Sequence, residues 1–251
     1  MKLKQNKPFQ LLKALSVIVI LFSIQSTQAM KSHKVLIFSK TAGFHHESIG
    51  VGIKAIIKLG EENNFTADTT TDSKNFNTKN LKQYSAVIFL STTGDVLNSE
   101  QEQAFEKYIK GGGGFVGVHS ATDCEYKWEW YGNLVGAYFS AHPRQQEAVL
   151  KVTDSKHIST KHLPKEWKRK DEWYNFKWVA PNLNVLISID ENSYDAGKAK
   201  MGDNHPMAWY HNYDGGRAFY TALGHTDESY QDPLFLKHLL GGINYAMGKN
   251  K

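Results

Sequence analysis

The stretch Gly111–Asp123, GGGGFVGVHSATD, decides the fold class of this chain. Four glycines are followed by a short apolar run and then by the polar pair His119-Ser120. This order is typical of a central strand in an α/β sheet that delivers its last side chains to the carboxyl edge. Because open α/β sheets bind ligands just beyond those edges, the stretch also predicts where a site lies.

Strands and helices alternate in the first 130 residues. Predicted strands cover Lys34–Ser39, Phe65–Thr71 and Tyr84–Leu90, and predicted helices cover 47–63 and Ser99–Lys110. Ser99 and Glu102 have the spacing of a capping box at the start of the second helix. The threonines of the second strand favour a place at the sheet edge. The alternation predicts a doubly wound, mostly parallel sheet of the α/β class.

The rest of the chain is richer in strands. Strand-like runs occupy Glu147–Thr153, Val185–Ile189, Met207–His211 and Arg217–Ala222, and an amphipathic helix covers Pro233–Met247. They predict either a mixed extension of the sheet or a small antiparallel lobe. We expect one domain over residues 30–251, because no stretch of the sequence resembles a linker. The basic run Lys165–Lys170 is expected to be a solvated face.

Residues 1–29 have the features of a secretory signal peptide. Four lysines precede the apolar run Ala14–Ile24, and small residues follow it up to Ala29. The apolar run is short for a bilayer span, so we expect cleavage, export to the periplasm or the medium, and no stable membrane insertion afterwards. An uncleaved amino-terminal anchor is the alternative.

Net charge indicates the class of partner, and cysteine content indicates the source of stability. Residues 1–29 hold four lysines and no acids, so their removal lowers the formal charge from +5 to +1. The basic pI therefore gives no reason to expect nucleic-acid binding, and a small molecule is the expected partner. A single cysteine allows no internal disulfide, so stability must come from a hydrophobic core. The sequence leaves self-association into a homo-oligomer open.

Histidines follow several predicted strands. His45 and His46 follow the first strand, His119 follows the fourth, and His225 follows the last. Parallel neighbouring strands would bring these imidazoles to one edge, where they can act as acids, bases or metal ligands. No HExxH pair is present, so a divalent metal would be held by separate loops, with His45, His119 and His225 as candidate ligands. The alternative is that each histidine bonds a nearby backbone carbonyl.

Two further stretches suit sugar recognition, because acids bind hydroxyl groups and aromatic faces cover C–H surfaces. The first is Asp171–Tyr174 (DEWY), in which either carboxylate could also act as a general acid or base. The second contains His205 and Trp209 at a strand entrance. A surface loop with an aromatic anchor is the alternative for DEWY.

A serine nucleophile is poorly supported. Ser120 offers a hydroxyl and Asp123 could orient an imidazole, but Gly117–Ala121 (GVHSA) lacks the GxSxG pattern and has histidine where serine belongs.

These motifs resemble the ThuA-like family, named for trehalose utilisation and similar in fold to class I glutamine amidotransferases. In order, they are Gly43–Ser48, Gly117–Ser120, Asp171–Tyr174, His205–Trp209, Gly216–His225 and His238–Ile243. The resemblance spans essentially the whole mature chain. It implies a three-layer, flavodoxin-like domain with the motifs lining one pocket. Amidotransferases carry cysteine at the elbow where this chain has His119, so glutamine hydrolysis is not expected.

The resemblance also implies a role in saccharide catabolism, with oxidised (keto) sugars as candidate substrates. We therefore expect an exported enzyme that acts by hydrolysis, elimination or isomerisation; a non-catalytic sugar-binding module is the alternative. The catalytic candidates are His119, His45 and Glu172. The substrate-binding candidates are His46, Ser120, Asp123, Trp173, Tyr174, His205, Trp209 and His225.

Overall fold

The computed structural model describes residues 1–2, 33–198 and 200–249, so nearly all of the predicted signal peptide lies outside the described residues. The strands are β1 (His33–Phe38), β2 (Phe65–Thr70), β3 (Ala86–Leu90), β4 (Gly114–Val118), β5 (Ala137–Ala141), β6 (Gln146–Val152), β7 (Glu166–Asp171), β8 (Asn175–Val179), β9 (Asn184–Ile189), β10 (Pro206–Tyr213) and β11 (Gly216–Thr221). The helices are α1 (Ile49–Glu62), α2 (Thr78–Leu81), α3 (Ser99–Lys110), α4 (Glu129–Val135) and α5 (Pro233–Ala246).

The first half of the main sheet is parallel, as the alternation of strands and helices predicts. Its order is β2-β1-β3-β4-β11, and each neighbouring pair is parallel. The strands β3 and β4 are buried along their whole length, whereas β2 lies at the edge, as its threonines suggest. Helices α1 and α5 contact each other on one face, and α2 and α3 contact each other on the other face. The three-layer α/β architecture is therefore confirmed.

The second half of the sheet is an antiparallel extension in the order β10-β9-β6-β7. Four successive reversals from β11 to β7 give β7 the same direction as β4 and β11. Two register shifts interrupt the pairing of β10 with β9, one between Pro206 and Ala208 and one between Ala208 and Trp209. At the end of β7, the Asp171 side chain accepts a hydrogen bond from the backbone of His225, which follows β11. The extension therefore curls back over the carboxyl edge of the parallel half.

One local expectation is wrong, and a second is confirmed only in part. Asn98 and Gln101, not Ser99 and Glu102, form the capping box of α3, because the Asn98 side chain accepts from the backbone N–H of Gln101. The basic run Lys165–Lys170 is a solvated face on one side only, since most of it lies in β7. Successive side chains of a strand point to opposite faces, so Trp167 and Arg169 are buried while their neighbours are exposed.

Within the described residues, none of the helices combines the length and the apolar character needed to cross a membrane.

Candidate functional site

Three histidines and a glutamate meet above the carboxyl edge of the sheet. His46 lies in the loop between β1 and α1, His119 directly follows β4, His225 follows β11, and Glu172 directly follows β7. One nitrogen or oxygen from each of the four side chains lies within 4.8 Å of the others. We call these four residues the His–Glu cluster.

His119 is the centre of the cluster. Its Nε2 lies 3.1 Å from Nε2 of His46, 3.0 Å from Nδ1 of His225 and 3.5 Å from Oε2 of Glu172. The same Glu172 oxygen lies 3.2 Å from Nδ1 of His225. His119, His46 and Glu172 are buried, and His225 is partly exposed. The arrangement brings three imidazole nitrogens and one carboxylate oxygen around a single point.

Contacts outside the cluster decide which ring nitrogens of His119 and His225 face that point. His119 has a left-handed backbone, with φ of +52°, which only a few per cent of non-glycine residues adopt. Its Nδ1 lies 2.9 Å from the carbonyl oxygen of Ala222, so the Nδ1–H donates there and the Nε2 lone pair faces the cluster. Nε2 of His225 lies 2.7 Å from Nε2 of the Gln145 amide. With this amide turned so that its oxygen accepts from the His225 Nε2–H, the lone pair of His225 Nδ1 faces the cluster. Such outer contacts fix the orientation of metal-binding imidazoles.

The cluster has the protonation states that a cation requires. Burial, together with the neighbouring His119 and His225, lowers the pKa of His46 to about 3. Burial opposes ionisation of Glu172, but the nearby His119 and His225 imidazoles outweigh this effect and hold the pKa of its carboxyl well below the usual range. Metal ligands must be neutral imidazoles and ionised carboxylates, so His46 and Glu172 are ready to bind at neutral pH.

Two residues near the cluster were missed in the sequence. His142, in the loop after β5, has its Nδ1 3.2 Å from Oε1 of Glu172, the carboxylate oxygen that faces away from His119. Phe44 is 65% exposed, and its ring packs edge-on against His46 at 4.8 Å. Phe44 lies within a motif that already suggested a site, whereas no spacing signal marks His142.

His45 does not join the cluster, although it was a candidate catalytic residue and metal ligand. Its side chain is exposed and its Nδ1 lies 3.4 Å from the hydroxyl of Thr41. His46, the next residue, is turned inward to His119 instead. The side chains of His45 and His46 therefore point in different directions. Their positions in the sequence do not decide which of the two turns inward.

Three of the predicted substrate-binding side chains belong to the core. Trp173 and Trp209 are fully buried, and their ring N–H groups donate to the backbone carbonyls of Gln146 and Val135. His205 is also fully buried, between the carboxylate of Glu191 and the carbonyl of Tyr174. Since their polar atoms are satisfied inside the protein, these side chains have a structural role in the described fold.

Of the remaining candidates, Tyr174 and Ser120 contact the cluster. Tyr174 is buried, and its ring packs on His119 with centroids 4.4 Å apart. The Ser120 hydroxyl is 3.4 Å from Nδ1 of His46. Asp123 accepts from the hydroxyl of Tyr126, and burial raises its pKa.

Cys124 does not provide the nucleophile of an amidotransferase. Its thiol is fully buried and donates to the carbonyl of Gly94. Burial raises the pKa of this thiol well above its usual value, whereas a nucleophilic cysteine requires the thiolate.

A cavity of 510 Å³ lies elsewhere, at the amino edge of the sheet near Tyr84, Tyr108 and Arg217, and no cluster residue lines it. Its chemistry is less specific than that of the His–Glu cluster, so we place the candidate site at the cluster.

Comparison with known proteins agrees with the fold and with the motifs. The family model described as "ThuA: Trehalose utilisation" matches residues 34–246. A protein from Bacteroides uniformis ATCC 8492, described as ThuA-like, is 26% identical, with a TM-score of 0.74 over 88% of this chain and 93% of that one. A second ThuA-like protein, from Parabacteroides merdae ATCC 43184, is 23% identical, with a TM-score of 0.73 over 88% and 91% of the two chains.

A β-galactosidase from Bacillus circulans sp. alkalophilus shares the fold alone. It is 14% identical, with a TM-score of 0.57 over 86% of this chain and 31% of that one. No curated protein matches the sequence.

Proposed function

The chain belongs to the ThuA (trehalose utilisation) family, and from that premise we propose that it is an exported, metal-dependent enzyme acting on a sugar or keto-sugar. The observation that carries the proposal is the His–Glu cluster. Export rests on the sequence of residues 1–29.

The distances between the nitrogen and oxygen atoms of the cluster support a metal ion bound among them. Four ligands bound tetrahedrally at about 2.0–2.1 Å from one zinc ion lie about 3.3–3.4 Å apart. Four of the six separations within the cluster run from 3.0 to 3.5 Å, and all six are within 4.8 Å. Without a cation, the unprotonated Nε2 of His119 can accept only one good hydrogen bond, yet His46 and His225 both approach it. A shared divalent ion would satisfy all three rings.

The ligand types narrow the choice of ion. Imidazole suits zinc, iron, nickel and copper, and a carboxylate also suits manganese. We therefore propose a first-row transition ion, with zinc as the first to test. An ion that expands to five or six ligands would leave positions for the oxygens of a sugar.

The chemistry would be proton transfer and bond cleavage beside a polarised oxygen. A divalent ion at the cluster would polarise a bound carbonyl or hydroxyl group. On the protein side, Glu172 presents Oε2 to the cluster and Oε1 to His142, so its carboxylate connects the proposed metal with a partly exposed imidazole. Hydrolysis, elimination and isomerisation all use such an arrangement.

Phe44 supports a saccharide as the ligand. Within the described part of the chain, the large hydrophobic side chains that are exposed are Met1, Phe44 and Trp178. The backbone of Phe44 is held by the Thr93 hydroxyl, which donates to the Phe44 carbonyl and accepts from the Gly43 N–H. A fixed, exposed ring beside the proposed metal suits the apolar C–H face of a sugar.

The test is metal analysis followed by product analysis. Metal content is measured on the purified protein, and the metal-free protein is titrated with Zn²⁺, Mn²⁺, Co²⁺ and Ni²⁺. The loaded protein is then incubated with trehalose and with keto-derivatives of glucosides. We expect one ion per chain and metal-dependent conversion. Sugar binding without conversion would favour the binding module, and a protein that takes up no ion would overturn the metal-dependent mechanism.

A further inference from the structure

Asp171 joins two of the loops that build the His–Glu cluster, through the main chain of these loops and not through the cluster side chains. It is the last residue of β7, and it is fully buried. Its Oδ1 accepts the backbone N–H of Glu172 at 3.0 Å and that of His225 at 3.1 Å. Its Oδ2 accepts the backbone N–H of Gly224 at 3.1 Å. One carboxylate therefore holds the main chain of two cluster residues.

We propose that Asp171 is a positioning residue that sets Glu172 and His225 at the spacing the cation requires. The inference rests on the proposed metal centre. Three strands separate β7 from β11 in the sheet, so no backbone ladder joins these two strand ends. The Asp171 carboxylate makes the connection instead. It acts through the main chain and leaves both side chains free to face the cluster.

The surrounding contacts explain why this residue is a carboxylate. Oδ2 also accepts from the Ser229 hydroxyl at 3.1 Å and from Nη2 of Arg169 at 3.0 Å. The guanidinium of Arg169 lies over the rings of Trp167 and Phe235 and offsets the buried negative charge. All five groups around Asp171 are donors.

An amide in the same place cannot satisfy these donors. Asparagine has nearly the same shape as aspartate, but one of its two terminal groups is an NH₂. Whichever way the amide turned, this NH₂ would face backbone N–H groups, either of Glu172 and His225 or of Gly224. Asp171→Asn should therefore release at least one of the two loops, and residues that support metal ligands typically change metal affinity by about 10- to 100-fold.

Glu125 provides a matched control. It is a buried carboxylate whose Oε1 accepts the backbone N–H of Val96 at 2.9 Å and of Leu97 at 2.8 Å. Glu125→Gln thus removes a comparable buried negative charge while keeping an oxygen that can accept both N–H groups, and the loop that it holds carries no cluster residue. Both variants are expected to lose stability.

The first experiment is titration of the metal-free wild type and both variants with Co²⁺ and Zn²⁺. We expect Asp171→Asn to weaken binding about 10- to 100-fold and Glu125→Gln to leave it within about twofold. Equal affinities for wild type and Asp171→Asn would overturn the inference while leaving the metal centre intact.

The second experiment needs no metal. In the wild type, amide hydrogen exchange at Glu172, Gly224 and His225 should be slow, because Asp171 accepts all three N–H groups, and Asp171→Asn should accelerate it selectively. Rapid exchange of these amides in the wild type would overturn the inference even if the variant does not fold. If the wild type binds neither ion, the proposed function fails, and the exchange data alone decide whether Asp171 holds the two loops.

Discussion

Nε2 of His119 lies 3.0 Å from Nδ1 of His225, although 106 residues separate them in the sequence. The contact follows from the pairing of β4 with β11, which are parallel neighbours in the sheet. Their carboxyl ends meet at one edge, so the residues that follow them are brought together. The curled extension then adds Glu172 to the same place.

Replacing Glu172 with glutamine should remove metal binding and turnover. The substitution keeps the size of the side chain but removes the negative charge that faces His119 and His225. We expect metal affinity to fall more than about 100-fold, beyond the range seen for supporting residues. Metal titration and product analysis measure both effects. Glu191→Gln alters another histidine–carboxylate pair, Glu191 with His205, and should retain both activities.

Metal should stabilise the wild type but not a variant that lacks His119. A ligand that binds only the folded state at 100 times its Kd adds about 2.7 kcal/mol to the free energy of unfolding. We expect a rise in Tm when Zn²⁺ is added to the wild type and none for His119→Ala, because this ring lies at the centre of the cluster. A similar rise in both proteins would place the binding site elsewhere.

Phe44→Ala should raise KM and leave kcat nearly unchanged. The ring is exposed beside His46, and loss of its contact with a sugar should cost about 1–2 kcal/mol, or roughly 5- to 30-fold in KM. Steady-state kinetics on the substrate identified by the metal-dependent assay provide the measurement. Trp178→Ala removes another exposed aromatic side chain, on β8, and should leave KM unchanged.

Trp209→Ala should destabilise the fold without removing the metal centre. The indole is fully buried, packs on Phe176 and Tyr220, and donates to the carbonyl of Val135. Loss of a buried tryptophan typically costs about 3–5 kcal/mol. Denaturant unfolding measures this cost, and the folded fraction should still bind one ion. Loss of metal binding from a folded variant would contradict a purely structural role.

Because of His238, the free energy of unfolding of the protein should fall in acid. It is fully buried between the carbonyl of Ser159 and the hydroxyl of Thr221, and burial lowers its pKa to about 3 from 6.5. Between pH 6.5 and 3 the unfolded chain therefore binds a proton that the folded protein excludes, so stability falls as the pH falls through this range. Denaturant unfolding at pH 7 and 5 should show a smaller loss for His238→Asn than for the wild type. Equal losses of stability in the two proteins would show that His238 does not contribute to the acid sensitivity.

Much of the site was predictable from residue type and strand position. Histidines after β4 and β11 indicated that His119 and His225 would meet if the two strands were parallel neighbours. The sequence left the place of the last strand open, and the structure pairs it in parallel with β4. The sequence did not distinguish His45 from His46, since both lie in one polar loop and only its path decides which ring turns inward. The sequence also suggested Trp209 and His205 as ligand-binding residues. Aromatic and imidazole groups serve equally well as core residues with internal hydrogen bonds, and residue type alone does not separate the two roles.

The sequence by itself determined the alternation of strands and helices in the first half, the α/β class and the family, because hydrophobic periodicity and short motifs are local properties of the chain. It did not reveal β5, β7 and β8. Only the tertiary structure decided that Glu172 shares a site with three histidines. Four strand reversals give β7 the direction of β4, and the curl of the extension brings its end to the carboxyl edge of β4. A path of that kind is set by packing across the whole sheet.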